Sequence, residues 1–107
     1  MQIVPEITVQ EFALMRQNNN DFFLLDVRNL DEYTLCNLKG HLIPFNELAN
    51  RLHELNPNQH IIVHCHSGGR SRRAVEFLLA QGFSQASNLR GGITAWANEI
   101  DPTMPTY

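Results

Sequence analysis

A short β-branched run that ends on a cysteine and passes into a glycine-containing loop constrains this chain more than any other stretch. Ile61-Ile62-Val63-His64 leads to Cys65, the loop His66-Ser67-Gly68-Gly69-Arg70 follows, and from Ser71 the pattern Arg72-Arg73-Ala74-Val75-Glu76-Phe77-Leu78-Leu79-Ala80 is helical. Continuous apolarity marks a strand buried on both faces, as in a parallel sheet. A strand that delivers one cysteine into a loop opening a helix N-terminus places that thiol beside amides that have no helical partner.

The remaining segments read as a scaffold for that loop. Thr8-Val9-Gln10-Glu11 fits a capping box, and Val9, Phe12 and Ala13 share a helical face. Asn18-Asn19-Asn20-Asp21 ends this helix, and Phe22 to Val27 forms a second buried strand. Asp31-Glu32-Tyr33 opens a short helix, and Lys39 to Pro44 turns into a short edge strand. Asn46 is an N-cap for a helix over 47–55 with Leu48, Leu52 and Leu55 on one face. Gly82 is placed where a helix end requires positive φ, Ala86 to Leu89 makes a further strand, and Gly91-Gly92 turns into a helix carrying Ile93, Ala95, Trp96 and Ala97. Residues 1–5 and 101–107 are expected as extended termini. Strands alternating with helices predict an α/β fold: one open, mostly parallel sheet with helices on both faces and the site at the carboxyl ends of the strands.

The 107 residues suit one domain, residues 1–107, and 43% hydrophobic with 18% charged residues suits a packed core rather than disorder. The net charge of −3 (8 basic against 11 acidic) argues against nucleic acid as a partner, and no apolar run reaches membrane-spanning length. Two cysteines are too few for the disulfide framework of a small secreted domain, so a reduced, cytoplasmic setting is expected. Between His60 and Arg73 lie three arginines, three histidines and no carboxylate, which predicts a positive field around Cys65.

A free thiol titrates near ~8.5 and reacts as the thiolate. The helix N-terminus, amides turned inward by Gly68 and Gly69, and the charge of Arg70 with Arg72 and Arg73 behind it should all favour that thiolate. Other candidates read as structural. Cys36 fits burial better than a redox role. His64, Cys65 and His66 are adjacent in an extended chain, where side chains point to opposite sides, so they do not converge on a metal. Asp26 and Arg28 suit a tie between a strand end and its loop, and Trp96 suits packing. His41, His53 and His60 read as surface or turn residues, and Gly91-Gly92 as a turn standing beside the active-site loop.

Cys65-His66-Ser67-Gly68-Gly69-Arg70-Ser71 resembles the active-site loop of rhodanese-like sulfurtransferases. Leu24-Leu25-Asp26-Val27-Arg28 with Asp31-Glu32-Tyr33 resembles the family's first signature, and Leu89-Arg90-Gly91-Gly92-Ile93-Thr94-Ala95-Trp96 its closing one. Four residues separate Cys65 from Arg70, whereas cysteine-based phosphatases place five there. The resemblance implies a tighter cradle, sized for one sulfur atom, with Cys65 catalytic and His66, Ser67, Gly68, Gly69 and Arg70 as the substrate- and persulfide-binding loop. It implies transfer of sulfane sulfur from a small anionic donor such as thiosulfate to a thiol, cyanide or a sulfur-carrier protein, with no metal or organic cofactor. The alternatives are a phosphate- or arsenate-directed cysteine enzyme on the same fold and a non-catalytic interaction module. Two positions depart from the family pattern: Asn37 stands where a histidine is expected, and Gly40 is followed by His41. The ending Ile100-Asp101-Pro102, with Pro105 and Tyr107, resembles the tail of rhodanese domains fused behind sulfur-carrier-activating enzymes, which implies a sulfur carrier as acceptor.

Overall fold

The computed structural model describes residues 3–107; residues 1 and 2, part of the expected extended lead-in, lie outside the described residues. Five strands form one sheet: β1 (Glu6–Ile7), β2 (Phe23–Asp26), β3 (His41–Leu42), β4 (Ile61–His64) and β5 (Ala86–Leu89). Their order is β1-β5-β4-β2-β3. Every pairing is parallel, so the sheet expected as mostly parallel is wholly so among the described residues. Pairing at the N-terminal edge uses Glu6 and Ile7, just after the stretch expected as an extended terminus, with Pro5 accepting from the Asn88 amide at 2.8 Å.

Four α-helices connect or close the strands: α1 (Val9–Gln17), α2 (Leu30–Leu35), α3 (Gly69–Ala80) and α4 (Gly92–Glu99). The capping box at Thr8 forms as read: Glu11 N–H donates to Thr8 Oγ1 at 3.1 Å and Thr8 N–H to Glu11 Oε1 at 3.0 Å. The α3 helix ends before Gly82 at φ 94°, the left-handed position that glycine takes without strain.

The period of two along a strand divides the core. Leu25, Val27, Ile61, Val63 and Cys65 pack with Ala74, Val75 and Leu78 of α3 and with Leu48 and Leu55 on one face. Ile62 and Leu89 pack with Val9 and Phe12 of α1 and Ile93 of α4 on the other. Trp96 meets Phe12 edge-on at 5.7 Å between ring centres, so its role is packing.

The segment expected as one helix over 47–55 is instead two 3-10 helices, Phe45–Asn50 and Leu52–Glu54, and Pro44 rather than Asn46 precedes the first. This stretch must carry the chain from edge strand β3 past β2 to β4. A 3-10 turn rises about 2.0 Å per residue against about 1.5 Å in an α-helix, so it covers more distance while still turning Leu48 and Leu55 into the core. Arg51 braces the turn by pairing with Glu54 at 2.6 Å and Glu47 at 3.0 Å.

Strands β4 and β2 are neighbours, yet the chain leaves β4 toward β5 and leaves β2 toward β3. Connections that diverge in this way open a crevice at the carboxyl ends of the two strands, where ligands of open α/β sheets bind. The segment after Cys65 and the segment after Asp26 face each other there. No helix of the described residues is long and apolar enough to cross a membrane.

Candidate active site

Cys65 directly follows β4, and the chain needs only His66, Ser67 and Gly68 to reach α3. The helix begins two residues earlier than the sequence pattern suggested. Gly68 is its N-cap at φ 114°, in the left-handed region, and this sharp turn brings Gly69, Arg70 and Ser71 into the first helical turn. Amides of a first turn have no partner within the helix. Here they face the sulfur: Gly68 N–H donates to Cys65 Sγ at 3.1 Å, and the Ser71 and Arg70 amides also favour its thiolate. Ser71 Oγ stands 3.3 Å from Sγ. Burial alone would push the thiol up, but the Ser71 hydroxyl and the amides of Ser71, Gly68 and Arg70 outweigh it, so the Cys65 thiol lies below its ordinary value.

Ser71 is itself oriented from a distant strand. Its Oγ lies 2.6 Å from Asn88 Oδ1 of β5, and Asn88 Nδ2 donates to Glu6 Oε2 at 2.9 Å, which turns the amide oxygen toward the serine. One hydroxyl proton serves one acceptor at a time. With a neutral thiol it goes to Asn88; with a thiolate it can turn to the sulfur.

The loop carbonyls are held on the opposite side by the start of α4. Ile93 N–H donates to Cys65 O at 3.0 Å, and Thr94 gives His66 O both its N–H at 3.0 Å and its hydroxyl at 2.8 Å. A Cβ on Gly92 would lie 2.6 Å from both Cys65 O and His66 O, so the expected closeness of the Gly91-Gly92 turn to the loop is a backbone contact.

The electrostatics differ from the expected one-sided positive field. Arg70 contributes its amide to the sulfur, but its guanidinium makes a two-pronged pair with Glu32 of α2, at 2.7 and 2.9 Å. Arg72 and Arg73 are exposed on the outer side of α3, and Arg72 lies 3.8 Å from Glu76. The field at the thiol therefore comes from amide dipoles and a neutralised ion pair. The sequence window that held no carboxylate missed Glu32 because it arrives from 38 residues upstream. Bonds from Arg70, then from the Asn29 amide and Tyr107, hold the Glu32 carboxyl down at about 2.

Beneath this pair lies a buried ionic layer. Asp26 and Arg28 are fully buried and joined at 2.8 Å, as the strand-end reading of the two residues anticipated. Arg28 also donates to Cys36 O at 2.8 Å and to the Tyr107 hydroxyl at 3.0 Å. Burial disfavours the Arg28 charge, yet bonds to Asp26 and Tyr107 hold its pKa above the ordinary value. Cys36 is buried beside this guanidinium and, like Cys65, is a free thiol. His64 points to the face opposite Cys65, toward Asp26, with Nδ1 3.3 Å from Cys65 O. No group of three or more potential metal ligands occurs among the described residues.

Of the loop residues, Gly68 donates its backbone N–H to the thiol and Arg70 favours the thiolate through its amide, while Ser67 and Gly69 are exposed. The His66 ring stacks on Tyr107 at 4.1 Å between ring centres, tilted by 20°. Residues that sequence reasoning did not place at the site are Glu32, Asn88, Thr94 and Tyr107. Only Thr94 carried a local signal, being in the helix start that follows Gly91-Gly92. The segment of Asn37 and His41, which departs from the family pattern, makes local bonds: Asn37 Nδ2 donates to Tyr33 O at 3.1 Å, and His41 Nε2 lies 2.7 Å from Glu54.

Comparison with known proteins places this geometry in a family. The sequence model of the rhodanese-like domain matches residues 8–99. A sulfurtransferase of Allochromatium vinosum is 33% identical over 108 residues, covering 95% of this chain and 96% of that protein. The adenylyltransferase and sulfurtransferase MOCS3 of Arabidopsis thaliana is 34% identical over 118 residues, covering 94% of this chain and 25% of that protein. The chain spans only 54% of a similar Bacillus subtilis protein. A rhodanese-like domain protein from Staphylococcus aureus superposes with a TM-score of 0.83 at 28% identity, covering 97% of this chain and 99% of that one.

Proposed function

This chain belongs to the rhodanese-like domain family, whose relatives include sulfurtransferases, and from that premise we propose that it moves sulfane sulfur through a persulfide on Cys65. In the first half-reaction the Cys65 thiolate attacks the outer sulfur of thiosulfate. The Sγ–S bond forms, the S–S bond of thiosulfate breaks with its electron pair, and sulfite leaves. The enzyme then carries a Cys65–S–S⁻ group whose terminal charge faces the same amides. In the second half-reaction a nucleophilic acceptor, such as a thiolate or cyanide, attacks the terminal sulfur and the Cys65 thiolate departs. Electrons balance without an external oxidant or reductant, and a covalent intermediate predicts ping-pong kinetics.

The observation that carries this reading is that the Gly68 N–H at 3.1 Å and the Ser71 hydroxyl at 3.3 Å meet on a single sulfur atom at a helix N-terminus, where the Ser71 and Arg70 amides also favour the thiolate. Donors already aimed at a negative sulfur lower the cost of forming it, both as attacking thiolate and as persulfide. The cradle is built from backbone and a neutral hydroxyl, and it needs no metal or organic cofactor. His66, Ser67, Gly68, Gly69 and Arg70 form the binding loop around it. Arg70, paired with Glu32, acts here through its amide and as a brace between α2 and α3. The name of the similar Bacillus subtilis protein, a putative sulfur carrier protein, supports a sulfur-carrier protein as one acceptor. Two free thiols suit a reducing, cytoplasmic setting.

Mass spectrometry of the protein after thiosulfate treatment tests the reading. The wild type gains the mass of one sulfur, which a thiol acceptor removes, and Cys65→Ser gains none. A wild type that stays unmodified under thiosulfate and other sulfane donors overturns it.

A further inference from the structure

The tail crosses the mouth of the site. After α4 the chain turns at Asp101, whose amide donates to Trp96 O at 2.9 Å and whose carboxylate caps the Thr103 amide at 3.1 Å. Met104 packs against the α1–α4 side of the core. Residues 105–107 then run past Ile93, Thr94 and Ala97, enclosing about 10 Å³ against His66, about the room one water needs. The expected extended terminus is thus a turn followed by a fitted strap, stiffened by Pro102 and Pro105.

Tyr107 is its working end. The ring lies flat on His66, the residue next to the nucleophile, at 4.1 Å. The hydroxyl donates to Glu32 Oε2 at 2.7 Å and accepts from Arg28 Nη1 at 3.0 Å. Glu32 in turn grips Arg70 in the first turn of α3. One side chain therefore spans from the loop on one wall of the crevice to α2 on the other, and Cys65, the neighbour of His66 in that loop, is 1% exposed. Tyr107 itself is 44% exposed, and the Glu32–Arg70 pair is complete without it, so the ring leaves by giving up the His66 stack and its two hydroxyl bonds.

We propose that residues 101–107 are a lid, with Tyr107 as the residue that decides what reaches Cys65. The lid goes beyond the sulfur-transfer reading but rests on it for its purpose. Closed, the ring on His66 keeps solvent and small thiols from the sulfur. Open, it exposes the inward-facing amides to a donor, and then the bound sulfur to an acceptor.

Alkylation of Cys65, followed by peptide mapping, tests the lid without requiring any sulfur transfer, so it can fail or succeed independently of the proposed reaction. Rates are measured at one pH with iodoacetamide and with a bulky maleimide, with Cys36 as the internal reference. Access scales with the open fraction, so Tyr107→Ala raises the Cys65 rate by about tenfold or more, and further for the maleimide, with the Cys36 rate unchanged. Tyr107→Phe keeps the stack but loses both hydroxyl bonds, and gives a smaller rise of about threefold. Equal Cys65 rates in wild type and Tyr107→Ala overturn the proposal, as does a rise shared equally by Cys36, which reports general loosening.

Discussion

The molecule contains two glycine-started helices of similar design that are put to opposite uses. Both α3 and α4 begin on the second residue of a Gly-Gly pair, and both have an N-cap glycine in the left-handed region, Gly68 at φ 114° and Gly91 at φ 76°. Both therefore offer unpaired amides at a positive helix end. At α3 those amides meet a sulfur. At α4 they are occupied by the carbonyls of Cys65 and His66, in the first helix's own loop. A helix N-terminus is thus a site only when nothing of the protein fills it; filled, it becomes the clamp that shapes its neighbour.

The second glycines differ accordingly. Gly92 sits at φ 60° with loop carbonyls 2.6 Å from where a Cβ would be, while Gly69 has nothing within 4 Å of that point. The largest contrast expected is between alanine at these two positions. Gly92→Ala should cost about 2–4 kcal/mol and nearly abolish sulfur transfer, because the clamp has to move off the loop. Gly69→Ala should change stability by about 0.5 kcal/mol or less and leave activity within about threefold. Urea denaturation and initial rates check both, and equal costs would break the comparison.

Ser71→Ala comes next. It removes the hydroxyl from the thiol and leaves buried Asn88 Oδ1 without that donor. The Cys65 thiol should move up, and alkylation near neutral pH should slow by roughly tenfold, about the strength of one hydrogen bond to a charged group. A pH–rate profile identical to that of the wild type would mean that the amides suffice.

His64 sharpens the clamp side, since its Nδ1 faces the same Cys65 carbonyl that Ile93 holds. Burial keeps the His64 pKa low, against the pull of Asp26. The unfolded chain takes up this proton near 6.5 and the folded chain only below that, so the unfolded state binds more protons in the interval. Stability from this group is complete above 6.5 and falls as the pH drops below it. The Glu32 carboxyl, held at about 2, acts in a separate window, from 4.5 downward. Urea midpoints between pH 8 and pH 5 should fall in the wild type and less steeply in His64→Gln; parallel slopes would remove His64 from the account.

Among the substitutions that remove a bond, the smallest effect is expected for Thr94→Val, which takes one of two donors from His66 O. It should cost about 1 kcal/mol in urea denaturation and leave the Cys65 pH profile in place, because the Thr94 amide still holds the carbonyl.

Much of this was legible in the chain itself. The buried run before Cys65, the Thr8–Glu11 capping box, the positive φ of Gly82 and the opposite facing of His64 and Cys65 all follow from preferences that act within a few residues. The helix expected over 47–55 did not form, because the distance from β3 to β4 overrides a local leucine pattern. What only the tertiary structure decided are the partners brought from afar: Glu32 on Arg70, Asn88 on Ser71, and Tyr107 on His66, Arg28 and Glu32. Local sequence sets backbone conformation, and so where amides point. Which charge or ring meets them depends on the strand order, which brings residues 38 and 75 positions apart into contact.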